Sequence, residues 1–197
     1  MAPRRLVVAT RNAHKLHELE EILTGMELVP LPDEVDLPPE DAETFSGNAL
    51  GKARAAHEAT GLATIADDSG ISAAALGGAP GVHSARFAGP GATDEENLEL
   101  LLRSLDGEED RSVAYVCALA YVDERGGELV VEGRCEGELA REPRGSGGFG
   151  YDPAFVPADT GPGDPRTMAE LEPGEKNALS HRGRAARGLE RRLREER

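Results

Sequence analysis

The residues Asp67-Asp68-Ser69-Gly70 directly follow the short apolar run Leu62 to Ala66. Adjacent carboxylates at a strand end suit Mg²⁺, a hard cation that prefers oxygen ligands. One of the two could also activate a water. If the strand continues through them, their side chains point to opposite faces, so they should have different roles. The same four residues also read as an ordinary polar turn. Glu40, in the acidic loop Pro38-Pro39-Glu40-Asp41, is a candidate second metal ligand, although nothing local separates it from a solvated glutamate.

Three further clusters carry usable chemistry. In Thr10-Arg11-Asn12-Ala13-His14-Lys15 a strand ends and a helix begins. Backbone N–H groups and the positive helix end make such a junction a natural anion site, with Lys15 adding charge. It lacks the glycines and the Lys-Ser/Thr pair of a Walker loop. Gly147-Gly148-Phe149-Gly150-Tyr151-Asp152-Pro153 places two scarce aromatics and an acid in a Gly-rich loop. A ring flanked by glycine can present its face to a base, and Asp152 can accept a hydrogen bond from a base N–H. Phe149 is equally suited to plugging the core. In Glu175-Lys176-Asn177-Ala178-Leu179-Ser180-His181-Arg182, a continuous helix would put Lys176, Ser180 and Gly183 on one side with His181 and Arg182 beside it. His181 and Arg182 are donors suited to a carbonyl oxygen or a phosphate. Lys52, mid-helix among Ala and Gly, could reach a phosphate or simply face solvent.

The elements that must position these groups follow from pattern. Arg5 to Thr10, Glu27 to Leu31 and Leu62 to Ala66 read as strands, and Ala13 to Thr24 as a helix closed by Gly25. Thr44 caps a helix running to Thr60, closed by Gly61, with Ala49, Ala53 and Ala56 on one face. Gly77 to Gly91 is loop, and Thr93-x-x-Glu96 is a capping box before a leucine-rich helix. Ser112 to Val122 and Glu128 to Leu139 are long strands joined by a hairpin turn. A last helix runs from about Gly174 into the tail. Parallel pairing early and a hairpin later predict an α/β fold: one mixed β-sheet with packed helices.

Bulk composition narrows the function classes. The 197 residues suit one domain with a real core. Net charge is −15 and the pI about 4.8, which disfavours binding a nucleic acid polymer. A small polyphosphate can still bind where the few cations converge. Residues 182–197 carry seven Arg against three Glu, as a solvated, salt-bridged helix would. No apolar run is long enough to span a membrane, and the N-terminal apolar stretch is too short for a signal-peptide core. Cys117 and Cys135 offer neither a disulfide framework nor zinc spacing, and a cytoplasmic location with two thiols is expected. Their positions about the hairpin centre place them almost opposite one another. His14, His17, His57 and His83 lack metal-like spacing.

The order of the motifs says more than any one of them. The chain resembles the inosine triphosphate pyrophosphatase family, the dITP/XTP or non-canonical purine NTP pyrophosphatases. The resemblance is carried by VVATRNAHKLHELEEIL, TFSGNALGKA, IADDSGISAAALGGAPGVHSARFAG, GGFGYDPAF and MAELEPGEKNALSHRGRA, nearly end to end. It implies hydrolysis of dITP, ITP and XTP to the monophosphate and pyrophosphate, cleansing the nucleotide pool with Mg²⁺. It also implies an elongated fold with a central cleft between two lobes, residues 1–197 as one domain, and a homodimer. By this resemblance Thr10 through Lys15 bind phosphate, Glu40 and Asp68 bind metal, and Asp68 is the general base with Ser69 beside the substrate. Phe149, Gly150, Tyr151 and Asp152 form the base-stacking loop. Lys176, His181 and Arg182 contact phosphate and the purine 6-oxo group, and Lys52 is a cleft lysine. Two positions depart from the pattern: Arg11 stands where Gly is common, and Gly47 where Glu usually precedes Asn-Ala. The Ser180-His181-Arg182 that follows Glu175-Lys176-Asn177-Ala178 sets the chain apart from the related septum-formation-inhibitor pyrophosphatases.

Overall fold

One six-stranded mixed sheet has the strand order Met26–Pro30, Arg4–Val8, Thr64–Ala73, Ser112–Val122, Glu128–Leu139, Phe155–Pro157. The computed structural model describes residues 4–161 and 163–195, and the readings above that touch 1–3, 162 and 196–197 lie there outside the described residues. In chain order the elements are β1 (Arg4–Val8), α1 (Ala13–Ile22), β2 (Met26–Pro30), α2 (Phe45–Thr60), β3 (Thr64–Ala73), α3 (Asp94–Ser104), β4 (Ser112–Val122), β5 (Glu128–Leu139), β6 (Phe155–Pro157), α4 (Pro173–Leu179) and α5 (His181–Glu195). β1 pairs in parallel with β2 and β3, and β5 pairs antiparallel with β6. The expected mixed α/β class is the observed one. Among the described residues no helix is long and apolar enough to cross a membrane.

The chain divides into two compact units. Unit 1 comprises residues 1–68, 117–133 and 182–197, and unit 2 comprises 69–116 and 134–181. In unit 1, alternation along the strands sorts side chains onto two faces. Leu6 and Val8 of β1, with Cys117, Leu119 and Tyr121 of β4, pack against Leu19 and Leu23 and against Ala185, Ala186, Leu189 and Leu193 of α5. Val7, Ala9, Ala118, Ala120 and Val122 pack instead against Ala49, Ala53 and Ala56 of α2. Those three alanines are fully buried, as their small size on one helical face requires for close approach. Unit 2 closes around Ile71 and Ala73 of β3, Leu98, Leu101 and Leu105 of α3, and Tyr115, Cys135, Leu139 and Phe155.

Several local predictions hold. Thr44 Oγ1 accepts from the Gly47 N–H, and Gly61 caps α2 in the left-handed region at φ 67°. The Thr93–Glu96 capping box is present. β4 and β5 have the expected bounds, with the Asp123 N–H donating to the Gly127 carbonyl across the turn. Cys117 and Cys135 are both buried thiols, and burial pushes the Cys117 pKa up to about 12.

Four expectations need correction. α1 ends at Ile22 with Leu23 as its cap, so Gly25 lies beyond it. β3 does not stop before Asp67 but runs through Asp67-Asp68-Ser69-Gly70 to Ala73. Gly70 fits there because a Cβ would lie 2.3 Å from Ser84 Oγ and 2.6 Å from the Gly81 carbonyl oxygen. Within Gly77 to Gly91, residues Gly81–Arg86 form a 3-10 helix. The last helix is two: Ser180 is extended at ψ 152°, its N–H bonds the Lys176 carbonyl, and α5 begins afresh at His181. Lys176 and Gly183 therefore do not share one helical face.

Candidate active site

Because β3 continues, the two aspartates do face opposite ways. Asp67 turns toward the side covered by α1 and α5. Its Oδ2 accepts from Arg182 Nη2 at 2.8 Å and Nε at 3.2 Å, and lies 3.3 Å from Lys15 Nζ. Arg182, itself 2% exposed, also donates through Nη1 to Glu18 Oε2. Asp68 turns toward α2, where Asn48 Nδ2 donates to its Oδ2 at 2.9 Å and Lys52 Nζ lies 3.9 Å from its Oδ1. Asn48 and Lys52 are four residues apart, hence on one face.

The environments push the two acids in opposite directions. Burial alone would raise Asp67, but the charges of Lys15, Arg182 and Lys52 overcome it and hold the carboxyl far below the ordinary range. Burial also dominates at Asp68; Glu40 adds to it, Lys52 and Asn48 only partly offset it, and its pKa is raised. Asp67 is thus a fixed anion, while Asp68 holds a proton more tightly than an ordinary aspartate.

Lys52 is not an exposed helical lysine. It is 6% exposed, donates to Glu40 Oε1, and donates at 2.7 Å to the Asp67 carbonyl. Its ammonium stands between Glu40 and Asp68, so two carboxylates already converge on one positive charge. Among the described residues no three His, Cys, Asp or Glu side chains group as a ligand set. A pair is nonetheless the donor set expected for Mg²⁺, which keeps several waters and is completed by substrate phosphate oxygens. Glu40 and Asp68 fit that ion.

The segment before α1 is built as a cap. Asn12 Oδ1 accepts from the N–H groups of His14 at 2.9 Å and Lys15 at 3.2 Å, and Thr10 Oγ1 accepts from Asn12 N–H at 3.1 Å. Arg11 turns away from the cap. Its guanidinium donates to the carbonyls of Leu31 at 3.0 Å, Pro32 at 2.7 Å and Val35 at 2.8 Å, tying down the loop that leads to Glu40. Gly47 has a local cause too: a Cβ there would lie 2.8 Å from that of Ala42.

Unit 2 assembles a second cluster. Asp152 Oδ2 accepts from Lys176 Nζ at 2.7 Å and from Phe149 N–H at 3.0 Å, while Tyr115 Oη donates to its Oδ1 at 3.0 Å. Lys176 Nζ lies 5.3 Å from the Phe149 ring centroid, within cation–π range. Gly148, at φ 71°, is obligatory: a Cβ would sit 2.1 Å from Asp152 Oδ2. Asp94 Oδ2 accepts from the Gly150 N–H at 2.8 Å, and Tyr151 Oη donates to the Ser84 carbonyl at 2.7 Å. The loop is therefore anchored residue by residue, and Tyr151 points into the core. His181 is 7% exposed and stacks on Tyr115.

The structure thus brings Lys15, Glu40, Lys52, Asp68 and Arg182 together in unit 1, and Phe149, Asp152, Lys176 and His181 together in unit 2. Ser69 follows Asp68 on β3 as the first residue of unit 2. Asn48, Glu18 and Tyr115 are the residues that the motifs did not single out. For Asn48 the signal was available in its i, i+4 spacing to Lys52.

A family model described as the Ham1 family matches residues 6–192. The chain belongs to the Ham1 family. It is 53% identical to the dITP/XTP pyrophosphatase of Mycobacterium tuberculosis over 190 residues, 92% of this chain and 91% of the relative. A HAM1 protein from Coxiella burnetii superposes with a TM-score of 0.86 at 44% identity, covering 98% of this chain and 99% of that one. A nucleoside-triphosphatase / dITP/XTP pyrophosphatase from Mycobacterium abscessus gives 0.73 at 48% identity, covering 94% and 98%. The resemblance seen in the sequence motifs is borne out at the level of family and fold.

Arg182 has a measurable consequence of its own. Removing one partner of a buried ion pair leaves the others uncompensated, typically costing about 3–5 kcal/mol. Lys15 still faces Asp67, so Arg182→Ala is expected at the low end, lowering Tm by about 6–12 °C. The folded pKa of Asp67 is depressed, so its contribution is present above the unfolded value of about 3.9 and is lost as pH falls below it. Thermal melts should show the gap between wild type and variant at pH 7 and its narrowing below about pH 4.

Proposed function

We propose that this protein hydrolyses non-canonical purine nucleoside triphosphates, dITP, ITP and XTP, to the nucleoside monophosphate and pyrophosphate. The observation that carries the reading is the division between Asp67 and Asp68. Adjacent carboxylates whose environments push them apart mark an acid/base assignment. Asp67 fixes cations. Asp68, turned to the opposite face toward Asn48 and Lys52, is the base. It orients a water and takes its proton as the oxygen attacks the α-phosphorus; the bond from that phosphorus to the bridging oxygen breaks, and pyrophosphate leaves. Lys15 and Lys52 offset phosphate charge, the dominant demand of phosphoryl transfer. Glu40 and Asp68 would hold Mg²⁺, which when bound neutralises phosphate oxygens.

Within unit 2, Phe149 supplies a ring face for a purine, Lys176 a cation and His181 a donor for the 6-oxo group. Gly150, Tyr151 and Asp152 fix the loop. Thr10 through Lys15 present a helix start to phosphate, with Arg11 serving the neighbouring loop. Arg182 is reassigned in this reading to holding Asp67. We take residues 1–197 to be one catalytic domain, working as a cytoplasmic homodimer. Product analysis with dITP and Mg²⁺ tests the reading: dIMP and pyrophosphate are expected, and dIDP with orthophosphate would overturn it.

A further inference from the structure

Tyr115 lies on β4 in unit 2 and belongs to none of the motifs that mark the site. It touches His181, the donor assigned to the purine, and Asp152, which fixes the loop that carries Phe149. Its hydroxyl donates to Asp152 Oδ1 at 3.0 Å. Its ring stacks on His181 with centroids 4.5 Å and planes 12° apart, and on Phe155 at 4.5 Å and 30°. A tyrosine needed only for packing would be replaceable by phenylalanine. Here the buried hydroxyl meets a carboxylate, a charge-assisted bond stronger than a neutral one. Asp152 in turn holds Lys176 and the Phe149 N–H, so a shift of its carboxylate moves both.

We propose that Tyr115 is a positioning residue for base recognition, setting Asp152 through its hydroxyl and His181 through its ring face. The proposal rests on the function above, in which His181 and the Phe149 ring meet the purine and Asp152 fixes the loop that carries Phe149. It assigns Tyr115 to selectivity and not to the chemical step. Tyr115→Phe removes the hydroxyl and keeps the ring. Losing one such hydrogen bond should lower the dITP-over-dATP ratio of kcat/KM about fivefold to tenfold, carried by KM for dITP, with kcat little changed.

The test uses the full chain with Mg²⁺, reading pyrophosphate release from dITP and dATP, and side-chain NMR. In Tyr115→Phe the Asp152 carboxyl carbon resonance should move while the His181 ring protons keep their stacked, upfield positions. In Tyr115→Leu the His181 protons should also move downfield. A folded Tyr115→Phe protein with wild-type nucleotide preference would overturn the proposal. If the wild type released no pyrophosphate from dITP, the function would be wrong instead. The resonances would then decide for Tyr115, and an Asp152 carbon unmoved in Tyr115→Phe would overturn its positioning role.

Discussion

Asp68→Asn should fold normally and lose about 10²–10⁴-fold in kcat, the usual cost of removing a general base. Two effects act together. The amide cannot take the water's proton, and it would be a poorer ligand for the Mg²⁺ proposed to lie at Glu40 and Asp68. The fold should tolerate the change, because an amide can still meet Asn48 Nδ2 through its oxygen and it is Asp67 that the Arg182 guanidinium holds. Substrate binding should fall less than rate, since Lys15 and Lys52 remain. Asp67→Asn makes the contrast, because it removes a fixed anion among three cations and should show its loss in stability. Kinetics and melting of both variants side by side check the assignment; near-wild-type turnover of a folded Asp68→Asn protein would remove Asp68 from the mechanism.

Nucleotide choice should show an equally large effect. Inosine and xanthosine present a 6-oxo acceptor, whereas adenine presents a 6-amino donor. A site built to hydrogen-bond one group can reject the mismatched analogue by about 10⁴-fold, because buried polar groups go unpaired. Donors at position 6 should therefore make ATP the poorest substrate, with dITP, ITP and XTP well above GTP. GTP keeps the 6-oxo group, so its exclusion falls to the surroundings of its 2-amino group. The guanidinium of Arg182 is committed to Asp67 and Glu18, which leaves His181 as the donor to test. His181→Phe keeps a ring against Tyr115 and removes both nitrogens. It should lower kcat/KM for ITP about tenfold to a hundredfold and barely alter that for ATP. Equal losses on both nucleotides would show that His181 does not read the base.

The elements set by local pattern were legible in the sequence. α2 carries its own start and stop in Thr44 and Gly61, and β4 and β5 flank a turn whose residues admit little else. The different fates of Asp67 and Asp68 also followed from strand alternation, once the strand was allowed to continue. What the sequence hid depends on distant partners. Asp-Asp-Ser-Gly reads as a turn because carboxylates and glycine are rare in strands. Here Asp67 is stabilised in mid-strand by Arg182, 115 residues away, and Arg182 reaches Glu18, 164 residues away. The break at Ser180 was equally hidden, since helical spacing runs across it. Its consequence is that His181 joins the Tyr115 stack and Arg182 the Asp67 network.

The most direct measurement of the central claim is where the attacking oxygen ends up. Hydrolysis of dITP with Mg²⁺ in ¹⁸O-water, followed by mass analysis of the products, reads which phosphorus was attacked. Attack on the α-phosphorus by a water held at Asp68 puts one ¹⁸O into dIMP and none into pyrophosphate. Label in pyrophosphate, or in orthophosphate released beside dIDP, would contradict it.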